Sequence, residues 1–170
     1  MHRFFLIVAL ITQAAPTVDI PLAARQTNWI GEDNTGSCVH ASMVSLLRWQ
    51  GRPNTANRWM ATYGGGENPD RLKQRFDREG VRFAQTLEGD ETFLAWAIRT
   101  RRGCGVTVHE GTHMVDLIDL TDEEAVLLDN NNVGRLIRMP RDEFLAEWHA
   151  SHGWAVAPVY TPAAPSPVYE

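Results

Sequence analysis

The chain has 170 residues, is 44% hydrophobic and 22% charged, and carries a formal net charge of −5. A length in the range of about 100–200 residues is that of one domain, and the composition is that of a folding chain rather than a disordered one. The acidic balance argues against general nucleic-acid binding, which needs a basic surface. Two cysteines exclude a disulfide-dense scaffold and a four-cysteine zinc site, and leave two thiols to explain.

Met1-His2-Arg3 is followed by an apolar run over residues 4–11 and then by small residues up to Pro16. That order resembles a secretory signal peptide over residues 1–15. The run is shorter than the about 17–25 residues of a membrane span. The expectation is therefore a secreted or periplasmic chain, without a stable membrane span once the segment is removed.

Gly36-Ser37 leads into a helix over 38–50, in which Val39, Met43, Leu46 and Leu47 fall at helical spacing and Gly51 ends the run. A second short helix is expected over 55–63, closed by Gly64-Gly65-Gly66. In the third, Asn68 can cap, Pro69 suits the first turn, Leu72 and Phe76 share a face, and Gly80 stops it. A fourth runs over 90–100. After Gly103 the period changes. Strands are expected over 106–108, 114–120, 125–128 and 135–139, then a short helix over 140–148 with Phe144, Leu145 and Trp148, and a last strand over 154–159. Residues 160–170 read as a loose, proline-rich tail. Helices followed by strands predict an α+β fold with an antiparallel sheet, spanning 16–159.

The chemistry concentrates at Cys38. It opens a helix, where free amide hydrogens and the positive dipole end stabilise a thiolate. Gly36, Ser37, Ala41 and Ser42 around it are small. A thiolate nucleophile needs an imidazole partner, and His113, at the start of the strand over 114–120, is placed to face a cleft. The hairpin that follows returns to Asp129, whose carboxylate can accept the Nδ1 proton of His113 and fix its tautomer. Asn130 or Asn131 can substitute in another register. His40 and His109 are rival bases, but His40, two residues after Cys38 on a helix, points to another side.

With Gln26-Thr27-Asn28-Trp29 upstream, the block from Gly36 through Cys38 to Gly51 resembles the nucleophile helix of papain-like cysteine peptidases. The bacterial branch related to the bacteriocin leader (double-glycine) peptidases is the nearest likeness. Gly111-Thr112-His113-Met114-Val115-Asp116 and Val126-Leu127-Leu128-Asp129 are similar to its second half. The resemblance implies a papain-like fold, with N-terminal helices and the nucleophile helix packed on an antiparallel sheet. It implies hydrolysis of peptide bonds in a peptide or protein substrate, without a cofactor, through a Cys38-His113-Asp129 triad and a thioester acyl-enzyme. A Gln side chain and the Cys38 amide would hold the oxyanion. In the family that Gln stands about six residues before the Cys, where this chain has Glu32. Gln26 is the candidate if an insertion is assumed, with Asn28 and Asn34 as alternatives.

A competing motif is His109-Glu110-Gly111-Thr112-His113, which matches the H-E-x-x-H of zinc proteases. There the two histidines would bind zinc, Glu110 would act as base and Asp119 could be a third ligand. The motif requires a helix. Gly111 disfavours one by roughly 1 kcal/mol, and the residues before it prefer extended structure. A catalytically inactive binding module of the same fold, or an amide-forming transferase with the same triad, is a further reading. Cys104 reads as a buried packing residue, with a Cys38–Cys104 bridge as the alternative. The six tryptophans read as core, apart from Trp29, which can line a groove near the cleft.

Overall fold

A computed structural model describes residues 14–160; most of the expected signal segment and the tail over 161–170 lie outside them. After a single 3-10 turn (Leu22–Ala24) come α1 (Cys38–Trp49), α2 (Pro53–Thr62), α3 (Pro69–Glu79), β1 (Phe83–Thr86) and α4 (Glu91–Arg99). The second half holds β2 (Cys104–Val108), β3 (His113–Leu120), β4 (Glu124–Leu128), β5 (Leu136–Pro140), α5 (Arg141–Ala150) and β6 (Ala155–Pro158). The helix starts follow the chemistry of their first residues. Asn68 caps α3 by accepting from the Arg71 amide at 3.0 Å, Pro69 occupies the first turn, and Gly80 ends it in the left-handed region at φ 63°.

The six strands form one antiparallel sheet in the order β1-β6-β2-β3-β4-β5. β2, β3, β4 and β5 follow the chain as a meander. β6 departs from chain order and enters between β1 and β2. β1 was not expected as a strand. Its four residues, Phe-Ala-Gln-Thr, are all half-buried, so the alternation that marks a strand is missing. Its partner lies some seventy residues further on, where Phe83 faces Pro158 and Thr86 faces Ala155.

Period-2 alternation sorts β2 and β3 between two faces. Gly105 and Met114 meet Met43 of α1, while Val108 and Val115 line a groove under α5. All residues of α1 are buried except Cys38 and Arg48, because the helix lies between the sheet and α2. Trp59, Trp148, Phe76 and Phe144 are the largest fully buried side chains; of the six tryptophans, Trp49 and Trp154 are also buried. Among the described residues no helix is long and apolar enough to cross a membrane.

One buried polar cluster fastens α1 to the chain that follows α2. His40 is completely buried, and its Nδ1 accepts from the Trp59 indole at 3.2 Å. Its Nε2 lies 3.5 Å from the Glu67 carboxylate, which is already met by Arg71 at 3.2 Å and by Arg75. Burial, reinforced by the Arg75 and Arg71 charges, lowers the His40 pKa from 6.5 to about 4. A histidine kept neutral in the fold but protonated near 6.5 when unfolded leaves stability intact above 6.5 and erodes it as the pH falls towards 4. Urea denaturation at pH 7.5 and 4.5 is therefore expected to show a loss of about 2–3 kcal/mol from this group. His40→Gln should remove that part of the slope; an unchanged slope in the variant would place the acid sensitivity elsewhere.

Candidate active site

Cys38 is the first residue of α1, and the end it opens is not capped. Ser37 precedes it with φ −99° and ψ 33°, and its side chain makes no cap hydrogen bond. Its hydroxyl instead accepts from the Gly65 amide at 2.8 Å. The amides of the first helical turn, which have no partner within a helix, are therefore left uncapped by Ser37.

Two loops hold this arrangement. The segment over 28–37 lies against the glycine run over 64–66, so closely that a Cβ on Gly31 would fall 2.2 Å from the Gly65 nitrogen. Asp33 bridges them, accepting from Thr35 Oγ1 at 2.7 Å and from the Gly66 amide at 3.2 Å. The glycine run is thus a site of close backbone approach. Asn28 ties the same loop to the second half of the chain. Its amide N–H donates to the Asn130 carbonyl at 2.8 Å, its Oδ1 accepts from the Ser37 amide at 2.8 Å, and its Nδ2 donates to Asn131 Oδ1 at 3.0 Å.

His113 opens β3 and meets Cys38 across a cleft of about 240 Å³, whose walls include Asn28, Gly36, Thr107 and Trp154. The ring Nε2 lies 2.9 Å from Asp129 Oδ1, so the carboxylate takes Nε2 and not the Nδ1 expected from the sequence. The strand start presents the ring with Nε2 towards the end of β4 and leaves Nδ1 for the thiol. Asn131 adds its amide at 3.4 Å from Nε2 and donates its backbone N–H to Asp129 Oδ1 at 2.8 Å. The thiol and the ring shift each other. Burial raises the Cys38 pKa, but the hydrogen bond to His113, the Met114 and Val39 amides and the His113 charge outweigh it, and the net shift is downward from 9.0. Burial likewise opposes the His113 charge, but hydrogen bonds to Cys38 and Asp129 and their charges prevail, and its pKa rises from 6.5. Two partners moving towards each other favour a thiolate–imidazolium pair.

The structure does not bring Gln26 to this cleft. Its Oε1 accepts from Arg48 at 3.0 Å, its Nε2 donates to the Thr27 carbonyl, and its amide donates to Ser45 Oγ at 2.9 Å. Ser45 and Arg48 lie about two to three turns along α1 from Cys38. The chain runs beside α1 towards its N-terminus, and residue 26 is passed before the open end is reached. Asn28 is the one of the three alternatives that lines the cleft. Asn34 sits exposed in a turn at φ 60°. Glu32 and Trp29 line a separate pocket beyond the Gly31–Gly65 crossing. Trp154 and Thr107 were missed as cleft residues, because a buried residue in or beside a strand gives no sign in sequence of which end of the sheet it reaches. Cys38 and Cys104 are both free thiols, and Cys104 is fully buried.

The zinc-protease reading fails on backbone geometry. Residues 109–112 are the turn between β2 and β3, with φ of 55°, 56° and 80° at His109, Glu110 and Gly111, so the motif is not on a helix. The His109 ring stacks on His113 with centroids 6.0 Å apart, while His113 spends Nε2 on Asp129. Asp119 lies far along β3 and accepts from Thr17 at 2.8 Å. Among the described residues no three His, Cys, Asp or Glu side chains are grouped to hold a metal ion.

No protein-family model matches the chain, and no curated protein matches it. Among solved structures it is similar to a double-glycine motif protease from an AMS/PCAT transporter, crystallised in complex with the leader peptide. The TM-score is 0.50 at 15% sequence identity, over 72% of this chain and 85% of that one. At that identity the likeness is one of fold. Helices packed on an antiparallel six-stranded sheet, with Cys38 at the start of α1 and His113 at the start of β3, make this an α+β fold of the papain-like peptidase kind.

Proposed function

We propose that this chain is a cysteine-type peptidase of the papain-like kind, resembling the double-glycine peptidases, with Cys38, His113 and Asp129 as its triad. The observation that carries the reading is the Cys38 thiol sharing one cleft with a His113 ring whose Nε2 is held by Asp129 at 2.9 Å. The Cys38 thiolate attacks the carbonyl carbon of the scissile amide. As the C–S bond forms, the carbonyl electron pair moves onto oxygen, where the open amide of Cys38 meets it. Asn28 Nδ2 is the second donor in place of Gln26. One of its two hydrogens is used on Asn131, which leaves the other for the cleft. The intermediate collapses by breaking the C–N bond, and His113 gives its proton to the departing amine. Water, deprotonated by His113, then opens the thioester and frees the thiol.

The substrate is a polypeptide. The similar protease was crystallised with a leader peptide, and this chain carries an apolar groove of about 600 Å³ on the far side of the triad, with Val115, Leu127 and Ile137 in its walls and Asp129 at its rim. Such a groove can hold apolar side chains of a peptide reaching the cleft. The segment over 1–15 supports secretion or a periplasmic location for the mature chain.

Iodoacetamide near neutral pH is expected to alkylate Cys38 faster than a free cysteine and to leave Cys104 untouched, since burial pushes that thiol up. Labelling should vanish, with all peptide cleavage, in Cys38→Ala. A Cys38 no more reactive than an ordinary thiol would sink the reading and leave a binding module. The pH profile of kcat/KM should be a bell, rising as the Cys38 thiol ionises below its usual range and falling where His113 loses its proton above 6.5. Asp129→Asn removes a group that raises the His113 pKa, so the alkaline limb should move to lower pH and kcat fall roughly 10²-fold; an unmoved limb would remove Asp129 from the triad.

With a fluorogenic peptide selected from a library, Asn28→Ala should lower kcat by about 10²–10³-fold. Gln26→Ala should change it by no more than about twofold. The reverse result would return the oxyanion to Gln26.

A further inference from the structure

Beneath the Cys38–His113 pair lies a group of polar side chains with too few hydrogen-bond donors. Asp116 stands on β3 three residues after His113, on the alternate face that Met114 shares and that meets α1. It is 1% exposed, and neither carboxylate oxygen has a hydrogen-bond partner. Across the sheet it faces Gly105 and Leu128. Ser42, fully buried and one turn along α1 from Cys38, is the side chain whose hydroxyl acts on the pKa of this carboxyl. Asn130, at 2% exposure, is the third member. Its Nδ2 donates to the Met114 carbonyl at 2.8 Å, to the Cys38 carbonyl at 3.1 Å and to Ser42 Oγ at 3.3 Å.

The donor count is short. Asn130 brings two N–H bonds to three oxygens, and its own Oδ1 has no partner. Burying acceptors without donors is unfavourable. A protonated Asp116 carboxyl would add one O–H donor to this count. Burial pushes this carboxyl well above the usual carboxylate range, with the Ser42 hydroxyl acting the other way; the other titratable group that senses it is Cys104 on β2. Each bond in the group spans two elements. Asn130 links the first carbonyl of α1 to the carbonyl of Met114, and the Met114 amide is among the groups that lower the Cys38 pKa.

We propose that Asp116, Ser42 and Asn130 form a buried positioning unit that sets the start of α1 against the start of β3, and so holds the Cys38 thiol in register with His113. The proposal rests on the reading of Cys38 as a nucleophile. Asp116 touches neither substrate nor the reacting atoms, so it acts through the peptides of Cys38 and Met114.

The test is the pH profile of iodoacetamide alkylation at Cys38, which needs no substrate, together with kcat and KM on a fluorogenic peptide. Asp116→Val fills the same strand position without polar atoms. It should move the midpoint of the alkylation profile to higher pH and lower kcat roughly tenfold or more, with KM unchanged. Asp116→Asn, which is neutral and supplies a donor, should recover most of both. An Asp116→Val chain with the wild-type profile and kcat overturns the proposal, as does an Asp116→Asn chain as impaired as Asp116→Val. Circular dichroism checks that each variant folds; if Asp116→Val does not, Ser42→Ala is read in the same way, with the same shift expected and the same null result decisive. An ordinary thiol profile in the wild-type chain overturns the peptidase reading as well. An activated wild-type thiol with an indifferent Asp116 overturns this inference alone.

Discussion

The Ser37 hydroxyl accepts from the Gly65 amide and not from its own helix, and the rest of the site depends on that exchange. A serine before a helix ordinarily satisfies one of the open amides of the first turn. Here the hydroxyl is drawn away, the amides are left uncapped by it, and the positive end of α1 meets the thiol of its first residue. The exchange requires the glycine run over 64–66 to come within backbone contact of Gly31, which residues with side chains would prevent. The His40–Glu67 cluster, with Arg71 and Arg75, fixes the chain just beyond that contact.

The end of β4 completes the arrangement from the opposite direction. Asp129 and Asn130 are neighbours in sequence and point to opposite faces of the sheet. Asp129 holds the Nε2 of His113, and Asn130 reaches through to the carbonyls of Cys38 and Met114. Asn131 closes the loop to Asn28. A single short run of polar residues thereby serves the histidine, the start of α1 and the segment that precedes it. This explains why so polar a stretch follows a strand that is almost wholly buried.

The H-E-x-x-H letters illustrate how a motif depends on its backbone. Two histidines four residues apart share a helix face, but here His109 and Glu110 take left-handed conformations in a hairpin turn. His113 falls at the first position of the next strand, where its ring turns to Asp129. His109 remains beside it as a stacked neighbour. Non-glycine residues in that region cost about 1–2 kcal/mol each, a strain the hairpin carries next to the cleft.

Much of this was legible in the chain itself. Apolar spacing and capping residues determined α1, α3 and the meander from β2 to β5, because those signals are local and the pairing partners follow one another. The resemblance around Cys38, His113 and Asp129 also reads from neighbouring letters. Three features were decided only by tertiary structure. β1 and the insertion of β6 beside it depend on pairing across some seventy residues. That Asn28 and not Gln26 lines the cleft depends on where the chain, running beside α1, reaches the helix end. The nitrogen that meets Asp129 depends on the orientation of the His113 ring at the strand start. The two thiols counted at the outset are separated for the same reason. Residue type is identical in both, but only the fold sets Cys38 against an imidazole at an open helix end and encloses Cys104 in the core, where burial keeps its proton in place.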